Sequence, residues 1–140
     1  MNIAIVGATG LVGSKMLQIL EERNFSIDKI IPIASQKSEG RLINFCGKKY
    51  AVVSIENSLN EEIDIALFSA GAKVSLKWAP KFKRRGIYVI DNSSAWRMSE
   101  DIKLIIPEIN GNLLGSNDKI IANPNCSTIQ MLRALAPIHK

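Results

Sequence analysis

The chain has 140 residues, 46% of them hydrophobic and 22% charged, which is the size of one ordinary domain and enough to bury a core. No apolar run approaches the roughly 18 residues that span a bilayer, and the opening MNIAIVGATG lacks the basic, apolar and cleavage regions of a secretory signal; the chain reads as cytoplasmic, with no membrane partner. Its net charge of +5 suits a small anionic ligand, and the one dense basic run, Lys81, Lys83, Arg84 and Arg85, fits a solvated helix end better than a nucleic-acid surface.

Taken in order, residues 2–6 form an apolar run that predicts a strand, and residues 11–23 carry Val12, Met16, Ile19 and Leu20 at helical spacing. A second strand is expected over residues 29–34, with Pro32 leaving its extent open. Residues 42–46 and 50–53, separated by Gly47, Lys48 and Lys49, read as a peripheral hairpin. A third main strand at 63–69, a helix at 74–84, a fourth strand at 86–90 and a fifth at 103–106 follow. Pro80 should kink or shorten that helix. A short strand at 120–122 and a helix at 127–136 complete the series. Strands alternating with helices predict the doubly wound, Rossmann-like α/β plan, a mostly parallel sheet covered on both faces.

Gly7, Thr9, Gly10, Leu11, Val12 and Gly13 lie in the segment GATGLVG, which joins the first strand to the first helix with the spacing G-x-x-G-x-x-G. Such glycines let the backbone turn tightly and approach a pyrophosphate that faces the helix N–H groups. Turn glycines without a ligand are the alternative. An NAD-preferring site usually places a carboxylate about 20 residues on, to bond the ribose hydroxyls. Here the second strand ends in Ser35, Gln36, Lys37 and Ser38, hydroxyls and a cation suited to the 2′-phosphate of NADP, although Glu39 follows and the same residues would serve in an ordinary polar loop.

Cys46 and Cys126 are too far apart in sequence for metal-type spacing, so neither a disulfide framework nor a metal site is expected. Cys126 would stand at a helix N-terminus, which favours a nucleophilic thiolate; placement alone leaves a buried structural cysteine equally open. Cys46 reads as packing. The only histidine, His139, would lie on the order of 20 Å along the helix from Cys126 and could not serve as its base.

Taken together, these motifs resemble aspartate-semialdehyde dehydrogenases along nearly the whole chain. GATGLVG resembles the family's cofactor loop, residues 34–40 its adenosine-phosphate loop, and Phe68, Ser69, Ala70 and Gly71 its cofactor-lining turn. Residues 91–97 (DNSSAWR) resemble the phosphate-site segment, residues 106–110 (IPEIN) a further signature, and residues 123–128 (NPNCST) the nucleophile turn. Lys37 and Trp96 depart from the arginine and phenylalanine frequent there. The resemblance implies Cys126 as nucleophile with Asn125 beside it, and Arg97, otherwise readable as a surface arginine, binding the substrate phosphate with help from Asn92. It also implies NADPH-dependent reduction of L-aspartyl 4-phosphate to L-aspartate 4-semialdehyde, in the biosynthesis of lysine and diaminopimelate, threonine and methionine.

The expected organisation is a dinucleotide-binding domain over residues 1–126, with residues 127–140 leading to a second domain that carries a histidine acid/base and the homodimer contacts in the family. The chain by itself is expected to be inactive and to expose an apolar face. Two rivals remain: a non-catalytic dinucleotide-binding module, and N-acetyl-glutamyl-phosphate reductase, whose nucleophile turn usually has glycine where this chain has Asn125.

Overall fold

In a computed structural model, which describes residues 1–139, the elements are β1 (Asn2–Val6), α1 (Leu11–Glu22), β2 (Lys29–Ala34), β3 (Leu42–Phe45), β4 (Lys48–Ala51), β5 (Val53–Ser54), β6 (Ile65–Phe68), α2 (Ala72–Arg84), β7 (Tyr88–Asp91), β8 (Lys103–Leu104), α3 (Pro107–Asn110), β9 (Ile120–Ala122) and α4 (Cys126–Leu135). Seven strands form one sheet in the order β5-β2-β1-β6-β7-β9-β8, and every pairing in it is parallel. β1 runs centrally, pairing Val6 with Ile33 of β2 on one side and with Phe68 of β6 on the other.

The pleat divides β1 between two cores. Ile3 and Ile5 pack with Leu17 of α1 and with Ile30, while Ala4 and Val6 pack with Trp78, Ala79 and Phe82 of α2. Phe68 and Phe82 meet edge to face with ring centroids 5.3 Å apart, and burying each ring contributes on the order of 2–3 kcal/mol. Layers on both faces of a parallel sheet make this a Rossmann-like α/β fold.

Several local expectations are corrected. On α1 the buried positions are Gly13 and Leu17, while Val12 and Ile19 are exposed. The cause is tertiary: Gly13 seats against the Gly7 carbonyl, so the line of contact with the sheet follows residues 13 and 17. Pro80 does not shorten α2, because Trp78 and Ala79 before it and Phe82 after it are buried, and their packing outweighs one lost helical hydrogen bond. In the hairpin the turn is only Cys46 and Gly47, both at positive φ, so Lys48 and Lys49 belong to β4 and Val53 pairs in the main sheet instead. Gly86, at φ 79°, belongs to the closing turn of α2, which delays β7 to Tyr88.

Pro32 sits inside β2 without breaking it. Ile33 directs its carbonyl to Gly7 and Ala8, so the neighbouring Pro32 nitrogen faces the opposite side, where β5 pairs only with Ile33 and Ala34. The strand expected at 103–106 reduces to Lys103–Leu104, and that expected at 63–69 to Ile65–Phe68. α4 begins one residue early, at Cys126, and contributes no buried side chain; Met131 and Leu135 are among its exposed apolar residues. Of residues 127–140, Lys140 lies outside the described residues.

Candidate active site

The chain leaves β1 to one side for β2 and β5, then returns to lay β6 on the other side of β1. At such a reversal the loops after the two central strands separate and leave a crevice at the carboxyl ends of the strands. The Gly7 and Ala8 N–H groups both donate to the Ile33 carbonyl, at 2.8 and 3.0 Å, which ties the start of the loop to β2. Gly7 holds φ 93°, and a Cβ there would stand 3.0 Å from the Ser69 carbonyl carbon and oxygen, so the β1 and β6 loops meet at their first residues only. Gly10 precedes α1 with no side-chain cap, and the first turn contains no acidic residue. The leading N–H groups of α1, at Leu11, Val12 and Gly13, therefore have no acidic side chain of their own first turn opposing an anion.

A cleft of about 830 Å³ opens beside this loop. Of the residues expected at the cofactor, Gly7, Thr9, Gly10, Ser35, Lys37, Ser69 and Ala70 line it. Leu11, Val12, Gly13, Ser38 and Gly71 do not. Gly13 lies beneath the loop, Ser38 turns its N–H back to the Ser35 carbonyl, and Gly71, at φ 88°, caps α2.

Gln36 of the loop already expected there also lines the cleft, as do Glu56, Lys73 and Lys77, which were missed from sequence. The two lysines are four apart on α2, hence on one helix face, and the helix after the second central strand borders the crevice in this topology; that was the available signal. Glu39 does not line the cleft. Hydrogen bonds from the Asn57 amide (2.8 Å) and the Ser54 hydroxyl (3.0 Å) hold its carboxyl below the usual range, and direct it toward β5.

Farther along the same edge, the ends of β7 and β9 carry a second cluster. The Asn123 amide donates to Asn92 Oδ1 at 2.7 Å. Arg97 Nε donates to the Asn123 carbonyl and Nη2 to the Asn92 carbonyl, each at 3.0 Å. The arginine therefore bridges two adjacent strand ends with part of its five-donor fork, and its other N–H groups are left for a ligand. Asn123, not singled out from sequence, is the hub of this arrangement; its place three residues before the cysteine was the only hint.

Asn125 caps α4, its Oδ1 accepting from the N–H groups of Ser127 (3.0 Å) and Thr128 (3.4 Å). Cys126 follows as the first helical residue and is exposed, so it is not a buried packing cysteine. Cys46 is exposed too, contrary to the packing role expected of it. It occupies the hairpin turn at φ 47°, its N–H donating to Glu21 Oε1 at 2.8 Å. His139 lies past the end of α4. Among the described residues no group of three or more His, Cys, Asp or Glu could hold a metal ion, and no helix is long and apolar enough to cross a membrane.

A glycine loop at the switch point of a parallel sheet, beside a cleft at the strand ends, defines a Rossmann-type nucleotide-binding domain. Comparison with known proteins narrows this: residues 2–116 match the family model "Semialdehyde dehydrogenase, NAD binding domain", and the chain belongs to that family. It is 55% identical to aspartate-semialdehyde dehydrogenase of Aquifex aeolicus over 99% of this chain and 42% of that protein. It is 48% identical to the Bacillus subtilis enzyme, over 100% of this chain and 40% of that one. The crystal structure of Vibrio cholerae aspartate-semialdehyde dehydrogenase II complexed with ASA superimposes with a TM-score of 0.92 at 48% identity, covering 99% of this chain and 46% of that one. The chain thus spans less than half the length of these relatives.

Proposed function

We propose that this chain carries the cofactor site and the nucleophile of an NADP-dependent aspartate-semialdehyde dehydrogenase, a cytoplasmic enzyme acting on L-aspartyl 4-phosphate in lysine and diaminopimelate, threonine and methionine biosynthesis. The observation that carries this reading is the convergence of Arg97, Asn92 and the Cys126 turn on adjacent strand ends through hydrogen bonds of 3.0 Å. The high identity to aspartate-semialdehyde dehydrogenases supports the same substrate. Residues 1–126 form the dinucleotide-binding domain, and residues 127–140 lead toward a second domain like that in the rest of the relatives' length, where the homodimer contacts belong.

The cleft fits the cofactor: Gly7 and Gly10 let the loop lie close to the Ser69–Ala70 backbone and to its own Gly7 carbonyl, where a Cβ would crowd, and three lysines line the walls. Gly7, Thr9, Gly10, Leu11, Val12 and Gly13 would seat the pyrophosphate, with Ser69, Ala70 and Gly71 opposite. Ser35, Lys37 and Ser38 would hold the 2′-phosphate. When bound, NADPH supplies the hydride that reduces the acyl group to the aldehyde.

The residues of the chain do the rest. The Cys126 thiolate attacks the acyl carbon of the substrate, the carbon–oxygen bond to phosphate breaks, and phosphate departs with the electron pair, leaving a thioester on Cys126. The remaining Arg97 donors meet the phosphate oxygens and stabilise the charge that develops there. Asn125 fixes the helix start that presents the thiol. His139 is not the acid/base partner, since it is separated from Cys126 by the length of α4. Without such a partner the chain by itself turns over negligibly, because acid–base help is worth ~10²–10⁴-fold.

The test is calorimetric titration of the folded chain with NADP⁺ and, in parallel, NAD⁺. Saturable binding with NADP⁺ preferred is the expected outcome. A folded sample that binds neither nucleotide rejects the cofactor site.

A further inference from the structure

Residues 92–97 contain no helix or strand, yet Arg97 needs a fixed direction. Within the segment, Asp91 accepts from the Ser93 hydroxyl at 2.6 Å, and Ser93 Oγ in turn accepts from the Ala95 N–H at 3.2 Å. These bonds shape the turn but reach no other layer of the fold. The Arg97 contacts to Asn92 and Asn123 hold the guanidinium, and the backbone bonds of the segment, Asn92 N–H to the Phe68 carbonyl at 2.9 Å and Ser99 N–H to the Trp96 carbonyl at 3.0 Å, do not reach α2. One bond does more: Trp96 Nε1 donates at 2.8 Å to Ser75 Oγ, on α2.

Ser75 is 1% exposed, on the same face of α2 as the buried Trp78, Ala79 and Phe82, and the Trp96 ring packs against the core cluster those residues form. Among the described residues this is the one side-chain hydrogen bond from the segment to α2. The geometry points to Trp96 as a positioning residue that clamps the Arg97 segment to α2 through Ser75, and so sets where the guanidinium stands at the strand ends. Phenylalanine at this position would retain packing but lose the clamp. This inference rests on the reading of Arg97 as the phosphate ligand, but its first readout does not.

The test uses the full chain with Trp96→Phe, Ser75→Ala and the double variant. Solvent exchange of the Arg97 Nε–H, identified by its loss in Arg97→Lys, is followed by NMR, and inorganic phosphate is titrated in parallel. Each single variant and the double variant should speed the exchange and weaken phosphate binding about two- to tenfold, the range expected for one neutral hydrogen bond, with NADP⁺ affinity unchanged.

The double variant separates positioning from a structural role. If the indole serves only to satisfy the buried Ser75 hydroxyl, removing both groups restores wild-type exchange and phosphate affinity, and the inference is overturned. It is overturned equally if neither single variant alters the exchange. If the wild-type chain binds no phosphate, the reading of Arg97 as phosphate ligand fails instead, while the exchange rates still decide the clamp.

Discussion

Alanine at Gly13 would place its Cβ 2.2 Å from the Gly7 carbonyl oxygen, 2.8 Å from the Gly7 carbonyl carbon and 2.9 Å from Ala8 Cα. All three are backbone atoms and cannot rotate aside, so α1 must retreat from β1 by roughly 1 Å to restore contacts of about 3.5 Å. Overpacking of this kind costs about 1–3 kcal/mol, and contacts this short belong at the upper end. The helical preference of alanine over glycine offsets about 1 kcal/mol. The net loss of about 2 kcal/mol corresponds to a fall of about 8 °C in Tm for a domain of this size. Because the displaced N-terminus of α1 is the proposed pyrophosphate seat, NADP⁺ affinity should fall at least about tenfold as well. Gly111→Ala is the control, since its Cβ would meet only Pro107 Cβ at 3.8 Å. Thermal unfolding and calorimetry of both variants decide the matter. A Gly13→Ala chain that melts within about 2 °C of wild type and binds NADP⁺ unchanged would refute the argument that this close approach fixes the loop.

Lys37→Ala should weaken NADP⁺ binding about tenfold, the scale of one exposed charge-assisted hydrogen bond, and leave NAD⁺ binding unchanged in the same titrations. Asn125→Ala should cost about 1 kcal/mol in urea denaturation through loss of the α4 cap, whereas Asn125→Asp, which keeps an acceptor for Ser127 and Thr128, should cost less than half of that. Glu39 ionises more readily in the folded chain because of Asn57 first and Ser54 second, so its contribution is present above about pH 5 and is lost as pH falls through the lowered pKa. Glu39→Gln should therefore be less stable than wild type at pH 7, with the difference closing as the pH falls through the lowered pKa in the same denaturation experiment. Incubation with L-aspartyl 4-phosphate should add an acyl mass to the chain that is absent in Cys126→Ser, read by intact-mass spectrometry; an adduct that persists in the variant rejects Cys126 as nucleophile.

The parts of the fold legible in the sequence are those fixed by local pattern. β1, β2 and β9 are continuous apolar runs bounded by turn residues, and they fall where the pattern places them. The glycine loop was legible for the same reason, its spacing being local. What escaped depends on contacts across the chain. Which face α1 buries follows from Gly13 meeting the Gly7 carbonyl after the loop has closed, and hydrophobic spacing alone favours Val12 and Ile19 instead. The tight hairpin turn requires Cys46 at positive φ, a conformation rare outside glycine and here tied to Glu21 through the Cys46 N–H. Lys73 and Lys77 reach the cleft only because β6 returns beside β1. Arg97 and Asn123 are 26 residues apart, and no local pattern predicts that one will hold the other.

The order of the sheet explains why the proposed cofactor loop and the proposed nucleophile share one edge. All seven strands run parallel, so the segments that follow β1, β6, β7 and β9 emerge on the same side, and these four strands are consecutive neighbours. At a spacing of about 4.8 Å per strand, the glycine loop and the Cys126 turn stand roughly 14 Å apart along that edge. Under the proposed reading, the 2′-phosphate end of the cofactor points outward over β2, toward Ser35 and Lys37, so its reactive end runs the other way, toward β7 and β9. Arg97 and Cys126 wait there on strand ends bridged by Arg97. On that reading, sheet order supplies the direction of the cofactor, and the hydrogen bonds among Asn92, Arg97 and Asn123 the place where its hydride would be used.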